Sequence, residues 1–209
     1  MNKTLFIVLI GLSLTFGWDY LYFVQLWPGS WIYEDKLQYN FTNDYFSIHG
    51  IWPQDANGSW PGYCNQSLVF NETSLNPIKN DLSKYWTNFI NASQLWEHEF
   101  YRHYTCAAQD PNIGDELEYY NLGLELRNKT DLFNIFVNNS IVPSNEKLYD
   151  LDSVQDAINN ALNLKTVLIC DRYNIINEII LCINKNLEFM NCSGMVNTNC
   201  RNNVWFNKT

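Results

Sequence analysis

Leu95 to Cys106 reads LWEHEFYRHYTC, and a shorter stretch, Phe46 to Gln54, reads FSIHGIWPQ. The chain carries three histidines, and all of them lie here: His49, His98 and His103. That confinement points to chemistry before packing. The longer stretch lacks proline and glycine and reads as helix. At about 100° per residue, His98, Glu99, Arg102 and His103 fall near 0°, 100°, 40° and 140°, on one flank. Phe100 and Tyr101 turn the other way and are free to pack.

Three readings compete for this cluster. A plain surface helix would use His98 with Arg102 and Glu99 with His103 as i,i+4 pairs. A zinc protease needs two histidines at i and i+4 with a glutamate base between them. Here the spacing is i,i+5, which swings the second imidazole further round the helix and sets an arginine beside it. Acid–base chemistry on a phosphodiester needs one neutral histidine, one protonated histidine and cations for the phosphoryl oxygens. His49, His103, His98 and Arg102 supply that inventory if the two stretches meet in space. Cys64 and Cys106, one near each stretch, offer a way to tie them together.

HGIWPQ followed roughly fifty residues later by WEHEFYRHYTC resembles the two active-site signatures of the ribonuclease T2 family, the secreted and vacuolar acid ribonucleases. The resemblance extends loosely over the rest of the chain. It implies an α+β fold, a central antiparallel β-sheet flanked by several α-helices and bonded by disulfides. It also implies a catalytic set of His49, His98, Glu99, Arg102 and His103. Trp52 stands where the family stacks its first base, Gln54 replaces a residue that hydrogen-bonds that base, and Trp60 would form a second aromatic wall. Gln25, just before Leu26 in the opening strand, is a candidate base reader, with core packing as the competing role. Tyr63 reads as cover for its loop or as a further stacking ring. Most relatives carry lysine where this chain has Arg102, which keeps the charge but changes its geometry. The family places glycine directly after its second catalytic histidine, where this chain has Tyr104. The expectation is a helix that continues or ends differently, with Tyr104 edging the substrate cleft.

The activity implied is that of an endoribonuclease without cofactor or metal, acting on single-stranded RNA. His103 would take the 2′-OH proton, and His49 would protonate the departing 5′-oxygen. A 2′,3′-cyclic phosphate would form first and then open to a 3′-phosphate, with an acidic optimum and a scavenging role. The alternative is a non-catalytic secreted glycoprotein on the same fold that binds RNA or a protein partner. Survival of all three histidines with Glu99 and Arg102 weighs against it.

Outside the motifs, residues 1–17 combine Lys3 with an apolar run from Leu5 to Leu14 and small residues at Thr15 and Gly17. This reads as a secretory signal peptide too short to span a bilayer. Residues 18–209 then read as one domain, with no membrane attachment and a monomeric state expected. A net charge of −9 and a pI near 4.7 exclude broad non-specific attraction to nucleic acid at neutral pH. Carboxylates begin to take up protons near their reference pKa of about 4, so an acidic compartment softens that repulsion.

Six cysteines behind a leader imply disulfides, and none forms a CxxC pair of the kind structural zinc uses. Six cysteines allow about fifteen connectivities. The family resemblance favours Cys64–Cys106, Cys170–Cys200 and Cys182–Cys192. Sequons begin at Asn40, Asn57, Asn65, Asn71, Asn91, Asn128, Asn138, Asn191 and Asn207, so N-linked glycans are expected. The destination is the secretory pathway, then the extracellular space or a lysosome or vacuole.

Local patterns place the elements. Tyr20–Trp27 reads as a buried strand, and Phe46–Ile51 as a second strand that delivers His49 and breaks at Pro53. Asn76-Pro77 reads as the start of a helix through Ile78, Leu82, Tyr85, Trp86 and Phe89. Two helices separated by a break precede Pro143, and Ser153 is a candidate cap for a further one. Lys165–Cys170 and Ile175–Ile183 read as a closing hairpin.

Overall fold

A computed structural model describes residues 17–42, 44–192, 194 and 196–209. The leader read from residues 1–17 lies, apart from Gly17, outside them. Among the described residues no helix is long and apolar enough to cross a membrane.

The frame is an antiparallel sheet in the order β2 (Ser47–Gln54), β1 (Tyr20–Leu26), β5 (Ile176–Ile183), β4 (Val167–Cys170), with β6 (Phe189–Met190) paired to β5. A second, two-stranded sheet joins β3 (Leu148–Asp150) to β7 (Asn203–Trp205). β1 is buried along its whole length, which explains why it reads as an apolar run, interrupted by Gln25, rather than an alternating one. One sheet face, with Leu21, Phe23, Ile48, Ile51, Ile179 and Leu181, packs into the main core. The other bears Tyr20, Tyr22, Val24, Ile180 and Cys182.

Helices cover the main-core face. They are α1 (Pro28–Glu34), α2 (Lys79–Tyr85), α3 (Ala92–Glu99), α4 (Thr105–Ala107), α5 (Glu116–Lys129), α6 (Leu132–Asn138) and α7 (Leu151–Leu162). α5 opens with a capping box in which the Asp115 side chain takes the Glu118 N–H and Glu118 reaches back to the Asp115 N–H. It lies against β1 and β2. Gly123 in its middle lets Trp86 close in, since a Cβ there would stand 2.4 Å from Cζ3 of the indole. Trp86 and Tyr119 then serve the edge strand. The Trp86 Nε1–H donates to the His49 carbonyl at 2.9 Å, and the Tyr119 hydroxyl donates to the Ile51 carbonyl at 2.8 Å. Outward carbonyls of β2 that no neighbouring strand can reach are thereby satisfied.

Disulfides join Cys64 to Cys106, Cys170 to Cys200 and Cys182 to Cys192, the pairs the family resemblance implies. Several local expectations are corrected. β2 does not break at Pro53 but runs on to Gln54, because an edge strand can spare the missing N–H. The Asn76-Pro77 start is replaced by a 3₁₀ turn over Glu72–Ile78 capped by Asn71, and α2 ends at Tyr85, short of Phe89. Asp150, not Ser153, caps α7, and Ser153 supplies the N–H that it accepts. Asn207 is buried, its side chain bonded to Trp27 Nε1 and the Gly29 carbonyl, so this sequon is closed to modification in the folded chain.

Candidate active site

The helical run expected over Leu95–Cys106 is present but not uniform. α3 is followed by a π-helical turn, Phe100–Tyr104, and then by α4. The Thr105 N–H reaches the Phe100 carbonyl, five residues back. Such turns bring residues five apart toward one face and recur at functional sites. His98 and His103 stand with ring centroids 6.5 Å apart, and with Glu99 and Arg102 they line one cleft. Thr105 secures the turn, donating to the Tyr101 carbonyl at 2.8 Å and accepting from the Cys64 N–H at 3.1 Å.

β2 brings the other half of the site. Residues 49 and 52 are three apart, so a regular strand would point them to opposite faces. A β-bulge removes the conflict: Val24 pairs with Gly50 and Gln25 with Ile48, which leaves His49 as the extra residue. His49, Trp52 and Gln54 consequently line the same cleft. Bulges commonly re-aim a side chain in this way. Gly50 shares the face but presents no side chain, and Glu99 uses the space. A Cβ at residue 50 would stand 2.0 Å from Glu99 Oε2 and 2.2 Å from Trp52 Nε1.

Trp52 organises the cleft. Its Nε1–H donates to Glu99 Oε2 at 2.9 Å, its ring stacks on His103 at 5.3 Å and 24°, and His49 meets it edge-on at 5.0 Å. Tyr22 and Ile180 complete the floor, Gln54 is buried at the end, and Trp60, 63% exposed, stands at the rim. The cavity is about 380 Å³.

The two halves hold their imidazoles in opposite electrostatic settings. Burial pushes His49 down, but the hydrogen bond and charge of Glu178, with Glu99 nearby, outweigh it and raise its pKa. Burial, helped by Arg102, His98 and His49, drives His103 down to about 2. His98 is lowered by burial and then by Arg102 and His49. Glu99 is pushed up to about 7 by burial, against the pull of His49, the Trp52 N–H and Arg102. The cleft thus pairs a proton-rich imidazole with a proton-poor one across a single indole ring.

All five expected catalytic side chains meet here, as do Trp52, Gln54 and Trp60. Gln25 does not. It lies on the opposite parity of β1 from Tyr22 and Val24, is 1% exposed, and donates to Thr130 Oγ1 at 2.9 Å. Strand alternation removes it from base reading and leaves it a packing and hydrogen-bonding role. Tyr104 does not edge the cleft either. It is buried against Phe100 and Tyr119 with ordinary helical φ and ψ of −58° and −42°, so tyrosine in place of glycine carries no backbone strain. Tyr63 is half exposed, and the Arg102 guanidinium lies 6.0 Å from its ring centroid. The i,i+5 histidines gain no further ligand: among the described residues no group of three or more His, Cys, Asp or Glu side chains is placed to hold a metal ion.

Sequence reasoning missed three contributors: Gly50, Tyr22 and Glu178. Glu178 left one legible signal, as the single charged residue of a largely apolar strand, INEIILCI.

Comparison with known proteins gives the same site a lineage. Residues 18–192 match the model of the Ribonuclease T2 family. Ribonuclease Oy of Magallana gigas is 32% identical over 189 residues, 84% of this chain and 88% of that protein. Ribonuclease T2 of Danio rerio is 30% identical over 183 residues, 84% of this chain and 73% of that protein. Among solved structures, RNase NT in complex with 5′-AMP superposes with a TM-score of 0.78 at 27% identity, covering 91% of this chain and 98% of that one. The chain belongs to the ribonuclease T2 family, as a T2-type endoribonuclease.

Proposed function

We propose that this endoribonuclease cleaves single-stranded RNA without a metal, by transphosphorylation between His103 and His49. The opposed settings of these two imidazoles in one cleft carry the reading. His103 is held as free base and accepts the ribose 2′-OH proton as that oxygen attacks the adjacent phosphorus in line. His49 is held protonated and delivers its proton to the departing 5′-oxygen. A 2′,3′-cyclic phosphate results, and hydrolysis with the roles reversed yields the 3′-phosphate. The nucleophile belongs to the substrate, so the step requires no metal-bound water. DNA, which lacks the 2′-OH, is inert.

Arg102 and His98 hold phosphoryl or ribose oxygens and stabilise the charge that develops on them. Glu99, with its pKa near 7, is a neutral acid at mildly acidic pH and donates to a phosphoryl oxygen. An ordinary imidazole would be largely protonated at about pH 5. His103, depressed to about 2, stays a base there, which supports an acidic optimum. Trp52, Gln54 and Trp60 receive the bases. The 5′-AMP bound to RNase NT supports nucleotide recognition in this fold. Secretion, with extracellular or lysosomal and vacuolar destinations and a scavenging role, is part of the same reading. One relative, 30% identical over 163 residues, is named Extracellular ribonuclease LE in Solanum lycopersicum.

The test is product analysis on a short RNA at about pH 5 in excess EDTA, comparing wild type with His103→Ala. A 2′,3′-cyclic phosphate from the wild type alone is the expected result. Intact RNA in both tubes from disulfide-bonded protein would reject the mechanism. It would favour a binding protein on this fold.

A further inference from the structure

We infer that Glu178 is the positioning residue for His49: it fixes the imidazole through Nδ1 and leaves Nε2 to meet the substrate. Glu178 Oε1 lies 2.5 Å from His49 Nδ1, and the two side chains are 14% and 21% exposed. Glu178 does not line the cleft, so its carboxylate acts from behind the ring rather than on RNA. The inference rests on the reading of His49 as general acid.

The geometry is built by the sheet. β5 is not paired with β2; β1 lies between them. Glu178 pairs with Leu26, and Leu26 in turn pairs with Ser47, so Glu178 shares the cleft face at the end of β1 where β2 carries its bulge. The bulge turns His49 onto that face, within reach across the intervening strand. In a regular ladder, residue 49 would take the opposite parity and the contact could not form. The His49 main chain is held as well, through its carbonyl and Trp86 Nε1.

A carboxylate bound to one ring nitrogen fixes tautomer and ring orientation and stabilises the imidazolium. Other groups facing His49 do not duplicate this. Trp31 of α1 and Trp52 of β2 meet it edge-on at 5.4 and 5.0 Å as neutral rings. Glu99 from α3 is bonded to Trp52 and helps His49 only where it is ionised, above about pH 7, while Arg102, His98 and His103 face it across the cleft with charge of the same sign or none. Removing the Glu178 charge therefore leaves burial to depress His49, with the nearest other carboxyl already committed to Trp52.

The experiment uses Glu178→Gln and Glu178→Asp in the full disulfide-bonded protein. The chain has three histidines, so their ring resonances can be followed through an NMR titration without crowding. In Glu178→Gln the His49 midpoint is expected to fall by about one unit or more, as for loss of an adjacent opposite charge. The alkaline limb of kcat/KM should move down with it. Activity near pH 7 then falls roughly tenfold, activity at about pH 4.5 falls much less, and Glu178→Asp recovers part of the alkaline limb. Glutamine is isosteric, and an unchanged near-UV circular dichroism spectrum certifies the fold. An unmoved His49 midpoint overturns the inference whether or not the enzyme is active. A midpoint that falls while the pH–rate profile stays put also overturns it, and identifies the general-acid reading of His49 as the step that failed.

Discussion

Glu99 occupies the space where a side chain at residue 50 would stand, and this sets two expectations at the scale of single residues. In Gly50→Ala the added methyl meets the carboxylate and the Trp52 indole, so the Trp52–Glu99 hydrogen bond must break or shift. Overpacking of this kind costs about 1–3 kcal/mol. Urea unfolding should show that loss, and kcat/KM should fall more than tenfold because the acidic group leaves its place. The second expectation follows from Glu99 as a protonated donor. Glu99→Gln keeps an N–H donor and an acceptor for Trp52, whereas Glu99→Ala loses both. Glutamine should therefore cost less rate than alanine, and its profile should lose the part of the alkaline decline expected from Glu99 ionising near pH 7 while keeping the His49 limb. A pH–kcat/KM series on both variants decides it; equal losses would remove the donor role.

The π-helical turn is the feature that matters at the scale of elements, because it sets His98 and His103 together while the flanking helices stay regular. Thr105 ties this turn to the Tyr63–Cys64 loop. Thr105→Val conserves shape but leaves the Cys64 N–H and the Tyr101 carbonyl without this partner, at about 1–3 kcal/mol for a group left unsatisfied. The expected result is a matching drop in unfolding free energy together with a lower kcat. Asp115→Ala is the control: it removes the cap of α5 for about 1 kcal/mol and, being remote from the cleft, should leave kcat unchanged. Equal effects of the two on kcat would show that the turn geometry does not matter.

Over the whole molecule, the same buried groups that prepare the chemistry shape stability against pH. His103 drops from 6.5 to about 2 on folding, so its contribution is present above 6.5 and is lost as pH falls toward 2. Glu99 rises from 4.5 to about 7, so its contribution is present below 4.5 and is lost as pH climbs through 7. His49 is raised, and what it contributes below 6.5 is likewise lost as pH rises through its folded value. Between 4.5 and 6.5 the slopes of His103 and Glu99 oppose one another, leaving a plateau at mildly acidic pH. His103→Gln should remove the acid-side decline. Its stability relative to wild type should rise as pH falls below 6.5, by up to about 1.4 kcal/mol per pH unit. Urea titrations of both proteins at several pH values measure the difference, and parallel curves would refute the buried-base assignment.

Much of this protein is legible in its sequence because the signals are local. Apolar periodicity marks the helices and the closing hairpin, Pro28 and Gly29 end the first strand, and the confinement of three histidines to two motifs points to the side chains that meet in the cleft. Those signals depend on neighbours a few residues away. Tertiary structure decided what depends on pairing between distant segments. A one-residue bulge, set only when β2 pairs with β1, reverses the parity of His49 and brings it to the face of Trp52. The partner of that histidine comes from 129 residues further along the chain. Gln25, a candidate base reader with core packing as the competing role, falls on the far face of β1 and packs. The opposite pKa shifts of His49 and His103 are likewise absent from the sequence, where both are plain imidazoles. Burial and the charges that folding sets beside each ring raise the proton affinity of one and lower that of the other.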